Sequence, residues 1–382
     1  MADYAKLPAG ATLAVTPFKA HVDEEKLRHF RKLLELSPIA PAVFENTHAG
    51  DRYGLRREWL ETAKAVWLDD FDWREHEDGI NSYPNFKTAV GDAAGNTIDV
   101  HFLALFSRRP DAVPVALLHG WPGSACDFLD MLDLVRRRFP PEDLPYHVVV
   151  PSLPGYAYSS GPPAHVDYGV DMAAGAMHNL MVGLGFASGY LVHGGDLGSF
   201  VARIMALQYP ECRGMHVSMM GVPPLDENPP RTDDEKQALR KALEFLDTAH
   251  GFALQQGQRP ATVGLALSAS PLALLGCWPV LLTSQRLQEG GGGGTRPTGT
   301  DDVGGQVSKL TALQLPYVAK PCGYSLFARE IFPVPETWAR LSCNLVSFSE
   351  HPRGGHFAAM EQPGALLADV EEYIRKAWPR PD

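Results

Sequence analysis

Hydrophobic residues along the chain follow two different periods, and the change falls near residue 88. In HVDEEKLRHFRKLLELSP, Leu27, Phe30, Leu33 and Leu34 recur at helical spacing, and the run stops before Pro38. YGLRREWLETAKAVWLDDFDW repeats the pattern with Leu55, Trp59, Leu60, Ala63 and Trp67. An apolar stripe on an otherwise charged helix needs a partner surface. Residues 1–87 are therefore expected to form a helical meander that wraps around the core following it. From residue 88 the period shortens. NTIDVHFLALFS alternates as a half-buried strand does. VPVALLHG, YHVVVPSLPG and GYLVHGG are short continuous apolar runs that close in glycine- or proline-rich loops, as strands of a parallel sheet covered on both faces do. Helical stretches at 126–138 and 168–184 separate them. Strand alternating with helix predicts an α/β fold with a mostly parallel, doubly wound sheet, built from residues 88–224 and 313–382. Between these halves, residues 225–312 hold a polar segment, a helix at 233–250, an apolar stretch and five glycines at 290–294. This reads as an inserted helical cap with a flexible tract. The core resumes near LQLPYVAKP, continues through NLVSFSEHP and closes with a helix at 363–377.

Composition narrows the classes. The 382 residues are 45% apolar and 21% charged, enough for a large core and unlike a disordered chain. A net charge of −11 argues against nucleic acid and anionic membranes as partners. No run approaches about 18 uninterrupted apolar residues, and the N-terminal MADYAKLPAGATLAVTPF lacks a basic segment followed by an apolar one. A soluble cytoplasmic protein without a membrane span is the expectation. The five cysteines are scattered and never form a C-x-x-C pair, which points to free thiols and against a zinc site.

Three segments carry chemistry. In HGGDLGSF, residues 193–200, a strand ends in a tight turn and a helix begins, with Gly194, Gly195 and Gly198 around Asp196. This is the elbow pattern of an α/β-hydrolase nucleophile with aspartate in the nucleophile slot. A plain glycine turn whose aspartate caps a helix has the same letters. In HGWPGS, residues 119–124, the loop after VPVALL is placed to offer backbone N–H groups to a developing oxyanion, with Trp121 beside the nucleophile. In HPRGGHFAAME, His356 follows a glycine pair after a late strand and is better placed than His351 to act as base. The orienting acid should lie between nucleophile and histidine, and Glu330 in GYSLFAREIFPVPETW suits that order better than Glu336. An aspartate nucleophile attacking carbon forms an alkyl ester, so the substrate must carry a strained or good leaving group on carbon, an epoxide or an alkyl halide.

Together these residues resemble the microsomal-type epoxide hydrolases, especially soluble fungal members. HGWPGS, PSLPGYAYSSGPP, GGDLGSF, GYSLFAREIFPVPETW and GGHFAAMEQP match family motifs in order, and the N-terminal part from PFKAHVDEEKL to NSYPNFK is similar to the family's meander. The resemblance implies Asp196 as nucleophile, Glu330 as charge-relay acid, His356 as base and the Trp121 backbone in the oxyanion hole. It implies no metal or organic cofactor, and a homodimer is in keeping with it. The expected partner is a small, mostly apolar epoxide, opened to a vicinal diol in a pocket that includes Trp121, Pro122, Leu197, Phe252, Tyr156, Tyr324 and Gln288. The chain departs from the family in its cap. Phe252 and Gln288 stand where two proton-donating tyrosines are expected, and phenylalanine has no proton to give. Tyr156, Tyr158 and Tyr324 are the candidate replacements. The same departure keeps open a biosynthetic enzyme that rearranges or cyclises its substrate without hydrolysis, and a ligand-binding scaffold without catalysis.

Overall fold

The computed structural model describes residues 3–50, 52–221, 230–277 and 315–378. Its centre is a nine-stranded sheet: β1 Thr16–Pro17, β2 Asn85–Gly91, β3 Thr97–Leu105, β4 Val113–Leu118, β5 Tyr146–Pro151, β6 Tyr190–Gly194, β7 Cys212–Val217, β8 Val318–Arg329 and β9 Cys343–Gly355. The order across the sheet is β1-β2-β3-β5-β4-β6-β7-β8-β9. Every pairing from β5 through β9 is parallel, whereas β1, β2 and β3 pair antiparallel and β3 also runs antiparallel to β5. The mostly parallel sheet read from the apolar runs is therefore present, with an antiparallel edge. β2 was not legible as a strand, although Asp92–Asn96 joins it to β3 in a tight turn with Gly95 at φ +83°.

Order within the sheet decides where a ligand can sit. From β4 the chain crosses to β5 on one side and then returns to β6 on the other. Such a reversal leaves a crevice at the carboxyl ends of the strands. The loop 119–124 leaves β4 there, and Asp196 leaves β6 there. Beneath the crevice Leu105, Val115, Leu117, Val150 and Leu191 pack with Phe128, Met131, Leu366 and Val370 in the main core.

The chain divides into two compact units. One comprises residues 1–20, 78–238 and 310–382 and carries the whole sheet; the other comprises 21–77 and 239–309. In the first, buried Arg203 donates to the Pro316 and Ser342 carbonyl oxygens, at 2.6 and 3.3 Å, and to Met220 Sδ at 3.3 Å. One guanidinium thus joins Met220, which follows β7, to Pro316, which precedes β8. In the second unit the helices Glu24–Leu36 and Arg57–Asp69 group with those at 251–258, 260–268 and 271–277. Leu34 is fully buried, and Ser37 Oγ meets Ser270 Oγ at 2.7 Å. An amphipathic stripe dictates that a partner surface exists and leaves its identity open. No helix among the described residues is long and apolar enough to cross a membrane.

Candidate active site

The turn after β6 holds Asp196 at φ +48° and ψ −126°, a conformation that non-glycine residues rarely adopt. The helix Leu197–Gln208 starts at the next residue. Crowding explains the glycines around it. A Cβ on Gly194 would run into the Gly198 carbonyl, one on Gly198 into the Leu118 and His119 carbonyls, and one on Gly120 into the Asp196 carboxylate. Backbone atoms of two strand ends and a helix cannot move aside as a side chain can. Gly198→Ala is therefore expected to destabilise the fold by more than about 2 kcal/mol in urea unfolding. Gly257→Ala, in the helix Gly251–Gln258 with open space at its Cβ, should instead stabilise by up to about 1 kcal/mol.

The elbow aims the Asp196 carboxylate at donors from three segments. Trp121 N–H donates to Oδ1 at 2.7 Å, and Leu197 N–H also bonds the carboxylate. His356 Nε2 lies 3.1 Å from Oδ2. On the other edge of the ring, Nδ1 lies 2.8 Å from Glu330 Oε1, which also accepts the Ile331 N–H at 2.8 Å. Glu330 directly follows β8 and His356 directly follows β9, so two neighbouring parallel strands deliver acid and base to the same edge. Burial opposes the Asp196 charge, yet the His356 bond and charge and the Leu197 and Trp121 N–H groups outweigh it and hold the carboxyl below its ordinary range. Burial likewise opposes the His356 charge, but Glu330 and Asp196 hold its pKa well above the ordinary imidazole value. With Asp196 ionised, His356 is an imidazolium between two carboxylates.

Sequence reasoning brought Asp196, Glu330, His356 and the Trp121 backbone to one place, and the structure brings these four together. It finds Leu197 at the site as a backbone donor. Trp121, Asp196 and His356 line a cleft open to solvent, with Phe357, Ala358 and Met360 as apolar wall. Pro122 follows Trp121 in the same loop through a cis peptide bond. Tyr324 stands elsewhere than expected. It is 1% exposed, its oxygen accepts the Val334 N–H at 3.3 Å, and its ring packs on Phe348. β8 is buried on both faces from Cys322 to Phe327, so a polar tip there finds a backbone partner in the core. Phe252 belongs to the second unit, where its ring meets Phe245 and His250. Gln288 lies outside the described residues.

Two groups at the cleft escaped the sequence reading. His119 bridges loops: its Nδ1–H donates to Gly120 O, and its Nε2 accepts Leu153 N–H, each at 3.0 Å. Asp127 Oδ1 accepts the Ser124 N–H at 3.1 Å in a capping box, and its carboxyl lines the cleft. Burial, against the Ser124 bond and with the Asp196 charge, pushes Asp127 up to about 6. The S-x-x-D spacing from Ser124 to Asp127 was the available signal.

Comparison with known proteins gives this geometry its context. Residues 15–128 match the model of the epoxide hydrolase N terminus, and residues 113–267 that of the alpha/beta hydrolase fold. A protein of Dothistroma septosporum provisionally named an epoxide hydrolase is 40% identical over 404 residues, covering 100% of this chain and 95% of that protein. Epoxide hydrolase 1 of Oryctolagus cuniculus is 26% identical over 416 residues, covering 94% of this chain and 89% of its own. The structure of the Aspergillus niger epoxide hydrolase superposes with a TM-score of 0.84 at 36% identity, covering 99% of this chain and 100% of that one.

Proposed function

This chain belongs to the epoxide hydrolase family on the α/β-hydrolase fold, and we propose that it opens a small, mostly apolar epoxide to a vicinal diol through an alkyl ester on Asp196. One observation carries this reading: a carboxylate with the Trp121 backbone N–H on one oxygen and the Glu330–His356 pair on the other. Because Trp121 N–H holds Oδ1 in the oxyanion site, Oδ2, on the His356 side, is the oxygen that attacks carbon. The new ester then keeps Oδ1 in the oxyanion site as its carbonyl oxygen. Water attacks the ester carbon, His356 Nε2 takes its proton, and charge develops on Oδ1, to which the Trp121 N–H already points. Glu330 fixes the ring and stabilises the imidazolium. Electrostatics order the two steps. His356 begins charged and is a poor base. Alkylation erases the Asp196 charge, lowers the His356 pKa, and so produces the base only once there is an ester to hydrolyse.

Two measurements test the reading. In water enriched in ¹⁸O, a single turnover should place label in the peptide containing Asp196 and not in the diol, since water attacks the enzyme ester. Label in the first-turnover diol would sink the covalent route. In His356→Gln, attack survives and hydrolysis fails, so mixing with epoxide should leave a stable adduct of substrate mass on intact-protein spectrometry. Phe252 favours a second reading, in which the same pocket guides a rearrangement or cyclisation; unlabelled, isomerised product would mark it.

A further inference from the structure

Opening an epoxide on carbon leaves an alkoxide, which at neutral pH needs an acid. Phe252 has no proton to supply. Tyr156 lies in the loop that follows β5, within reach of the Asp196 charge. Its ring packs edge-on against His119, with centroids 5.1 Å apart. His119 is pinned between Gly120 and Leu153, and Gly120 lies directly against the Asp196 carboxylate. The phenol is thus joined through one neutral imidazole to the wall of the nucleophile.

The loop is built to hold it. Tyr156 N–H donates to Leu153 O and Gly155 N–H to Ser160 O, each at 2.9 Å. The next residue, Ala157, sits at φ +46°; with Asp196 it is one of two non-glycine residues at positive φ among those described. Strain of this kind persists where surroundings impose it and gathers at functional sites. Tyr156 is half-buried, and its hydroxyl makes no hydrogen bond among the described residues, so its proton is uncommitted. Tyr324 spends its oxygen on Val334, and Tyr158 packs its ring between Phe18 and His101.

We propose that Tyr156 is the acid that protonates the oxygen released when Asp196 opens the ring, an assignment that rests on the covalent reading above. As the bond from Asp196 Oδ2 to carbon forms, the ring C–O bond breaks and its electron pair passes to oxygen, which takes the Tyr156 proton. Loss of the Asp196 charge lets the His356 imidazolium pass its proton to the phenolate. Ester hydrolysis then returns a proton from water to His356, and the second proton of that water, carried on the new carboxyl group, leaves with the diol alkoxide. Epoxide and water are consumed, diol appears, and every group is restored. Burial, with the Asp196 charge, lifts the phenol to about 12. It therefore stays protonated at neutral pH and remains more acidic than the alcohol it makes.

The test is single-turnover alkylation, followed by intact mass, with styrene oxide as probe. Tyr156→Phe should form adduct about 100-fold more slowly or worse, while the ester, once formed, hydrolyses at the unaltered rate. A structural lesion would slow both. Difluorotyrosine at 156 should keep the adduct rate and move the alkaline limb of alkylation to lower pH; the ionisable groups facing the phenol are Asp196 and His119, and neither titrates in that range. Should Tyr156→Phe fail to fold, the fluorinated protein decides alone. Alkylation within about threefold of the unaltered protein, or an unmoved alkaline limb, overturns the assignment. Absence of adduct in the unaltered protein would overturn the covalent reading instead.

Discussion

Asp196→Ala is expected to lower kcat/KM for an epoxide by on the order of 10⁴-fold or more, with no adduct at any time after mixing. The size follows from how many effects converge on one carboxylate. In the proposed mechanism it supplies the electron pair that opens the ring, its Oδ1 occupies the site where oxyanion charge later develops, and its conversion to an ester turns His356 into a base. No nearby group replaces it. Asp127 shares the cleft but is held in the capping box by Ser124, and its pKa of about 6 marks it as the less ready anion. Alanine at φ +48° loses the local hydrogen bonds that help an aspartate adopt this backbone, so circular dichroism and the urea midpoint of the variant must show that the fold is retained. A folded protein retaining more than about 1% activity would mean that the chemistry does not pass through Asp196.

The legible part of this molecule was whatever a few local letters dictate. Glycines at 194, 195 and 198 announced a crowded turn, and the structure shows backbone carbonyls occupying the space that side chains at 194 and 198 would need, with Ser218 Oγ against 195. Chain order then singled out Glu330 and His356, and parallel β8 and β9 bring them within 2.8 Å. What the letters could not supply was context. The alternation in β3 identified a strand and said nothing of its direction, so the antiparallel edge went unseen. Tyr324 reads as a pocket tyrosine beside a functional segment, yet burial on both faces of β8 makes it core. His119 is inconspicuous in HGWPGS, because its role as a bridge depends on Leu153, which is 34 positions away and meets it only in the folded sheet.

Acidification should unfold this protein steeply, beginning below about pH 6.5. Five neighbouring positions across the sheet each carry one buried histidine: His101 in β3, His147 in β5, His119 just after β4, His193 in β6 and His216 in β7. The rings are satisfied as neutral groups. His193 Nδ1 meets His216 Nδ1 at 3.0 Å, His216 Nε2 meets Ser325 Oγ at 3.2 Å, and His101 lies between Ser152 and Asn85. Burial lowers His101, His119 and His147 to about 4 and His193 to about 3, and with His193 beside it places His216 well below its ordinary value. A folded pKa below the unfolded one means that the unfolded chain binds the proton first. Stability from these groups is therefore complete above about pH 6.5 and drains away between there and pH 4. At ~1.4 kcal/mol per tenfold shift, each ring represents about 3 kcal/mol at the limit. Even a third of the combined effect rivals the 5–15 kcal/mol, roughly, that holds a typical domain together. Asp127 and Glu361 work the other way, since their raised pKa values favour the folded state as pH falls, but they are two groups against five. His356, with its raised pKa, is already protonated in this range and adds no loss on acidification. The urea midpoint should hold steady from pH 8 to 7 and fall sharply by pH 5, and His216→Gln, which cannot ionise, should flatten that fall. A midpoint unchanged between pH 7 and 5 would show that the rings accept protons in place, through water or local opening, and that burial does not keep them neutral.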